Sequence, residues 1–209
     1  MKKALIGAVV FVLAILPVAV NASPQGKLNQ VIGAGTISTD IVDGGGTTVA
    51  SPSFNMSTTN VSTGCQTITG SYGSATQRVS VDNPGGANAG WTLAIAATSG
   101  PTAKWVDGAK NYSFNNPAGS GCTGGQLTLD PAAATLNLNG GSTATGVTKG
   151  TSTSFVSGTT DSITLMSASA ASEDIWSGYL SGIGVSQKIP PSTAGGTYTI
   201  DLTQTVTAS

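Results

Sequence analysis

The end of the chain alternates strictly. Tyr198, Ile200, Leu202 and Val206 fall on one phase, with Gln204 among them, and Thr197, Thr199, Asp201, Thr203, Thr205 and Thr207 fall on the other. A period of two held over about ten residues puts apolar side chains on one face of an extended backbone, so it predicts a β-strand. Trp91, Leu93 and Ile95 alternate in the same way with Thr92, Ala94 and Ala96. Shorter runs of the same kind predict strands at 36–42, 61–69, 77–82, 126–130, 134–138, 153–157, 161–167 and 179–186.

The breaks between these runs are turns by composition. Asp82-Asn83-Pro84-Gly85-Gly86, Asn115-Asn116-Pro117-Ala118-Gly119 and Asn139-Gly140-Gly141 combine proline, which presets φ, with glycine, which reaches positive φ. Pro190-Pro191 cannot donate to a ladder, so 190–196 reads as a loop. The one helix candidate, 168–176, is short and Ser-rich and predicts a single turn at most. Many short strands separated by turn signals predict an all-β protein: an antiparallel β-sandwich of Ig-like, Greek-key style.

The N-terminus follows a different pattern. Lys2 and Lys3 precede an apolar run, Ala4 to Val20, and Val20-Asn21-Ala22 supplies small residues at a cleavage site. Residues 1–22 therefore read as a signal peptide. The run is short for a membrane span, and no second apolar run follows it, so no span is expected in the mature chain. Residues 23–35 are polar and Gly-rich and read as a flexible N-terminal arm. Residues 36–209 then suit one sandwich domain. Export predicts a secreted or cell-surface protein, and in that compartment Cys65 and Cys122, the only cysteines, predict one disulfide. Closing a loop of about 58 residues stabilises by about 4 kcal/mol in the chain-entropy account. A two-cysteine metal site is the weaker alternative, because the chain has no histidine.

Composition narrows the chemistry. Charged residues make up 8% of the chain, about a third of the usual share. No basic patch exists, which argues against nucleic acid as a partner. The lack of histidine removes Ser-His-Asp and Cys-His catalysis, and no Ser-x-x-Lys occurs. Glu173 and Asp174 are sequence neighbours and diverge on a strand, and the other acids sit mostly at strand ends and turns. The reading is therefore of a protein that is not an enzyme and takes no cofactor. Asp40 to Gly46 offers carboxylates and carbonyls to Ca²⁺, but a Gly-rich turn explains it more simply.

The remaining candidates are rings able to stack on a sugar: Trp91, Trp105 and Trp176, with Tyr72, Tyr112, Tyr179 and Tyr198. Trp91 and Tyr198 lie on apolar phases and are expected in the core. Trp105 and Trp176 sit beside polar, Gly-containing segments and are the candidate glycan contacts, where an exposed ring can stack on a sugar face.

Some of these segments occur in a recognisable order. Val79-Ser80-Val81-Asp82, a Gly-rich turn, then Gly90-Trp91-Thr92-Leu93 open the series. Gln126 to Leu129, Ala134 to Leu138 and Ile175-Trp176 follow, and Ile189-Pro190-Pro191 with Gly196-Thr197-Tyr198-Thr199 closes it. Over about 75–209 the chain resembles the WxL domain, a β-rich surface module of Gram-positive bacteria. Its motif residues here are Trp91, Leu93 and Tyr198. In that register the second Trp-x-Leu falls on Gln204-Thr205-Val206, so the strand is kept and the tryptophan is not. The resemblance implies non-covalent association with cell-wall polymer or with other surface proteins. Low charge, Thr-rich strands and the arm at 23–35 suit a second expectation, a subunit that self-assembles into a surface fibre or matrix.

Overall fold

A computed structural model describes residues 28–33, 35–85, 89–116 and 122–209. The expected signal peptide, residues 23–27 and 34 of the arm, and parts of two predicted turns (86–88 and 117–121) lie outside the described residues. The chain divides into two units, Met1–Ile32 and Gly33–Ser209. Residues 28–32 of the first form no regular element. Among the described residues no helix is long and apolar enough to cross a membrane.

The second unit is all-β, and its ladders are antiparallel. In chain order the strands are β1 (Ser38–Val42), β2 (Gln66–Tyr72), β3 (Arg78–Asn83), β4 (Trp91–Ala97), β5 (Lys104–Asp107), β6 (Lys110–Ser113) and β7 (Gln126–Asp130). Then come β8 (Thr135–Leu138), β9 (Val147–Lys149), β10 (Thr153–Ser154), β11 (Ser162–Ala168), β12 (Trp176–Ser181), β13 (Ile183–Ile189) and β14 (Leu202–Ala208).

Two of the three four-stranded sheets are halves of one bent surface. β12 lies between β3 and β8, and β13 lies between β2 and β7. Only Gly182 separates β12 from β13. Gly73 follows β2 before the chain resumes as β3, and the Pro131–Ala133 turn separates β7 from β8. Gly182 and Gly73 both take positive φ, at 74° and 83°, and the Gly182 amide donates to the Gly73 carbonyl at 3.1 Å. All three long strands therefore break at one level, where glycine permits the bend and Pro131 has no N–H to offer the ladder. β1 extends one half beyond β3, and β10 extends the other beyond β7.

The third sheet has the order β14-β4-β11-β9. It is joined to the bent surface at both edges. Gln204 Nε2 on β14 donates to Thr39 Oγ1 on β1 at 2.9 Å, and Lys149 Nζ at the end of β9 donates to the carbonyls of Ala132 and Ala134. Between the layers lie Trp91, Leu93 and Ile95 of β4, Val79 and Val81 of β3, and Leu180 of β12, all fully buried. A bulge after Thr164 turns both Leu165 and Met166 inward. The Cys65–Cys122 disulfide is formed, with Cα atoms 5.6 Å apart.

Most predicted strands are present, with differences that have physical causes. The run at 61–69 becomes a strand only from Gln66, because a bend at 63–64 precedes it, where Ser62 Oγ accepts from the Gly64 amide. The run at 179–186 is two strands divided by Gly182. No helix forms over 168–176. Instead, Glu173 Oε2 accepts from the Thr143 amide at 3.0 Å, which fixes a turn ahead of β12. The alternation over 198–206 persists in burial, but regular pairing begins only at Leu202. The strands β5, β6 and β9 carry too few apolar residues to have shown a period.

Candidate functional site

The inner face of the β2-β13-β7 half is laid down by register. Leu127 faces Gln187, which faces Ile68, and Leu129 faces Val185, which faces Gly70. Side chains in such rows share one side of the sheet. This face is only partly covered, and it forms the floor of a groove of about 920 Å³. Segment 52–59 forms one wall and segment 196–202 the other.

Each wall is held by a glycine that permits close approach. At Gly70 a Cβ would meet Met56 Cα at 3.0 Å, and Met56 bridges to Gly70 while the Ser57 amide donates to the Thr69 carbonyl at 2.7 Å. At Gly196 a Cβ would collide with the Asp107 carboxylate. Thr199 exchanges backbone hydrogen bonds with Val106 at 2.9 and 3.0 Å, and Lys110 Nζ donates to the Gly195 carbonyl at 2.7 Å. The β5–β6 hairpin is thereby clamped to the second wall.

Aromatic side chains gather at this groove. Trp105 and Tyr112 are near-parallel with centroids 6.2 Å apart, and Tyr198 meets Tyr112 edge-on at 5.0 Å. Phe54 and Tyr72 form a second pair at 4.4 Å. Two of their polar tips are committed. Trp105 Nε1 donates to Gln187 Oε1 at 2.8 Å, and the Tyr198 hydroxyl donates to the Ala194 carbonyl at 2.8 Å. Burial pushes the Tyr72 hydroxyl up to about 12. Burial, and then the neighbouring Tyr198, push Tyr112 up further. Both phenols therefore stay protonated near neutral pH, and neither serves as a base. Among the described lining residues Asp201 carries the one charge.

The structure separates the candidate residues. Trp105 is half-buried and lines the groove. Tyr198 also lines it, half-buried rather than in the core. Trp176 is not an accessible contact residue: its side chain is fully buried, and its Nε1 donates to the Thr143 carbonyl at 2.9 Å. It shares the inward phase of β12 with Gly178 and Leu180, and its ring lies over Gly178, where a Cβ would come within 2.6 Å of it. Trp91 is fully buried as expected, 5.1 Å from Trp176. Gly90 ahead of it has φ 83° and packs on the Ala168 carbonyl. Leu93 faces Val206 of β14 on one side and Met166 of β11 on the other. The Gly90–Leu93 and Gln204–Val206 segments thus lie on paired neighbouring strands.

Gln187, which no motif marks, is fully buried at the centre of an apolar face, and Tyr112 links Trp105 to Tyr198. A signal for Gln187 exists, since it occupies the phase of Ile183, Val185 and Ile189 where an apolar residue is expected. The Asp40–Gly46 segment proves to be a self-satisfied turn. Asp43 Oδ1 accepts from the Gly45 and Thr47 amides at 2.8 and 2.9 Å, and the Asp40 carboxylate accepts from Ile41 N–H and the Thr48 hydroxyl.

Comparison with family models, with curated proteins and with solved structures finds no match to this chain.

Proposed function

We propose that this chain is an exported, non-catalytic cell-surface protein, similar to WxL-domain proteins, that associates non-covalently with the bacterial cell wall or with partner surface proteins. The observation that carries the reading is the half-open groove with Trp105, Tyr112 and Tyr198 gathered at it. A concave, largely apolar surface with aromatic faces and one charge suits binding better than chemistry, because its groups include no acid–base pair among the described residues. The paired β4 and β14 support the resemblance to the two-part motif, although Trp91 acts there as core. The candidate glycan contact that remains is Trp105.

The protein beginning at Ser23 should pellet with isolated Gram-positive walls, and Trp105→Ala should reduce that pelleting several-fold. Retained pelleting in Trp105→Ala, or equal pelleting by an unrelated β protein, would remove the groove from the account. A second reading, self-assembly at the surface, is favoured by the exposed apolar side chains Leu28, Val31 and Ile32.

A further inference from the structure

Leu28, Val31 and Ile32 stand almost fully exposed within five residues of one another. Exposed apolar side chains grouped this closely mark a contact surface. In extended backbone Leu28 and Ile32 share one face with Gln30 between them. The same order, apolar, Gln, apolar, occupies the inward phase of β14 as Leu202, Gln204 and Val206. The segment thus has the pattern of a strand that this fold already accepts.

The groove supplies the complementary surface. Ile68, Tyr72 and Val185 on its floor are only half-buried, and Asp201 is the one charge among its described lining residues. Residues 28–33 carry no charge, so seating them there strands no desolvated ion. Five extended residues reach about 17 Å, which suits a groove bounded by two extended walls.

We propose that residues 28–32 of a second copy of this chain lie extended in the groove, with Leu28 and Ile32 on its apolar floor. The inference rests on the reading of the groove as the partner site of a surface protein, and it names the partner as another copy. Each copy brings this segment and this groove as two different surfaces, so the contact is head-to-tail and propagates into a chain of copies unless a rotation closes it.

Sedimentation velocity on the protein beginning at Ser23 tests the association. The wild type should form concentration-dependent oligomers. The double variant Leu28→Asp/Ile32→Asp should weaken association about tenfold or more. Both side chains are exposed in the isolated chain, so this variant leaves the core intact. Leu138→Asp, at an exposed apolar position elsewhere, should leave association unchanged. A photo-crosslinker at position 32 in a mixture of light and heavy isotope copies should join segment 52–59 or 196–202 of the other isotope. A wild type that stays monomeric, a double variant that still oligomerises, or crosslinks confined to one isotope would each overturn the proposal. Wall pelleting of the same samples separates the two readings. Oligomers that fail to pellet remove the wall reading and leave this inference standing; a monomer that pellets does the reverse.

Discussion

The indole N–H of Trp105 donates to Oε1 of Gln187 across 2.8 Å, joining the β5–β6 hairpin to the floor of the groove. Gln187 is the polar residue that the apolar face tolerates, because it is bonded at both ends. Its Nε2 donates to the Lys188 carbonyl. Replacing it with leucine keeps the bulk and removes the acceptor. A part-buried indole left without a partner costs about 1–3 kcal/mol. Thermal unfolding of Gln187→Leu, Trp105→Phe and the double variant should show a double-variant loss clearly below the sum of the singles. Additive losses would mean that the bond does not couple the hairpin to the sheet.

The three tryptophans should differ sharply in accessibility. Trp105 lines an open groove, whereas Trp91 and Trp176 are fully buried against each other. Acrylamide should quench the single-tryptophan protein that retains Trp105 several times more strongly than those retaining Trp91 or Trp176. Trp176→Ala should cost about 3–5 kcal/mol through lost burial and the cavity it leaves. Strong quenching of Trp176 would contradict its place in the core.

Glycines of the same sheet should respond differently to alanine. At Gly178 a Cβ meets the Trp176 ring at 2.6 Å and the Asn137 carbonyl at 2.7 Å, both in packed surroundings. Overpacking of this kind costs about 1–3 kcal/mol. At Gly182 the nearest atom is Ser71 Oγ at 3.9 Å, so the cost of alanine there is the positive φ alone, about 1–2 kcal/mol. Chemical denaturation should place Gly178→Ala at or below Gly182→Ala in stability. Trp176 fluorescence should shift only in the former.

Strands are legible in the sequence where side chains alternate between a buried and a more open face. β4 and β7 show that alternation, and β11 shows it up to its bulge; each lies within a residue of its predicted bounds. Elements that the backbone, not the side chains, defines are less legible. β12 begins Trp176-Ser177-Gly178, and without an apolar partner at position 178 the phase that buries Trp176 is invisible until Leu180. The bend at Gly182 likewise leaves no mark on periodicity, since Leu180 and Ile183 are each plausible in one continuous strand. The groove was harder still. Trp105 and Tyr112 face each other across the β5–β6 hairpin, but Tyr198 is distant in sequence and meets them only because that hairpin pairs with Thr199. No local pattern encodes that contact.

The disulfide offers a direct check. Cys122 ends a segment of which 117–121 lie outside the described residues, and its sulfur approaches the Ile189 carbonyl at one end of the groove floor. Intact mass without reductant should be two hydrogen atoms below that of the reduced protein. Cys65→Ser/Cys122→Ser should lose about 2–5 kcal/mol of stability. Two free thiols in the unreduced protein would remove the bridge.

Asp43 should give a pH signature confined to its turn. Its carboxylate accepts from the Thr47 and Gly45 amides, which holds it below the ordinary value of 3.8, and Arg78 adds a smaller attraction. The charged form is therefore favoured more in the folded chain than in the unfolded one. The turn's stabilisation is fully present above about pH 3.8, and it is lost as pH falls through the lower folded value. The Asp43 carboxylate lies in a surface turn, so the effect is local and global unfolding does not follow it. The amide resonances of Thr47 and Gly45 should titrate together with a midpoint below 3.8. In Asp43→Asn that titration should vanish, while Arg78, which donates to the Gly44 carbonyl, keeps the turn near the sheet. A midpoint at or above 3.8 would show that the amides do not favour the carboxylate. The turn would then rest on Gly46, with its positive φ, rather than on Asp43.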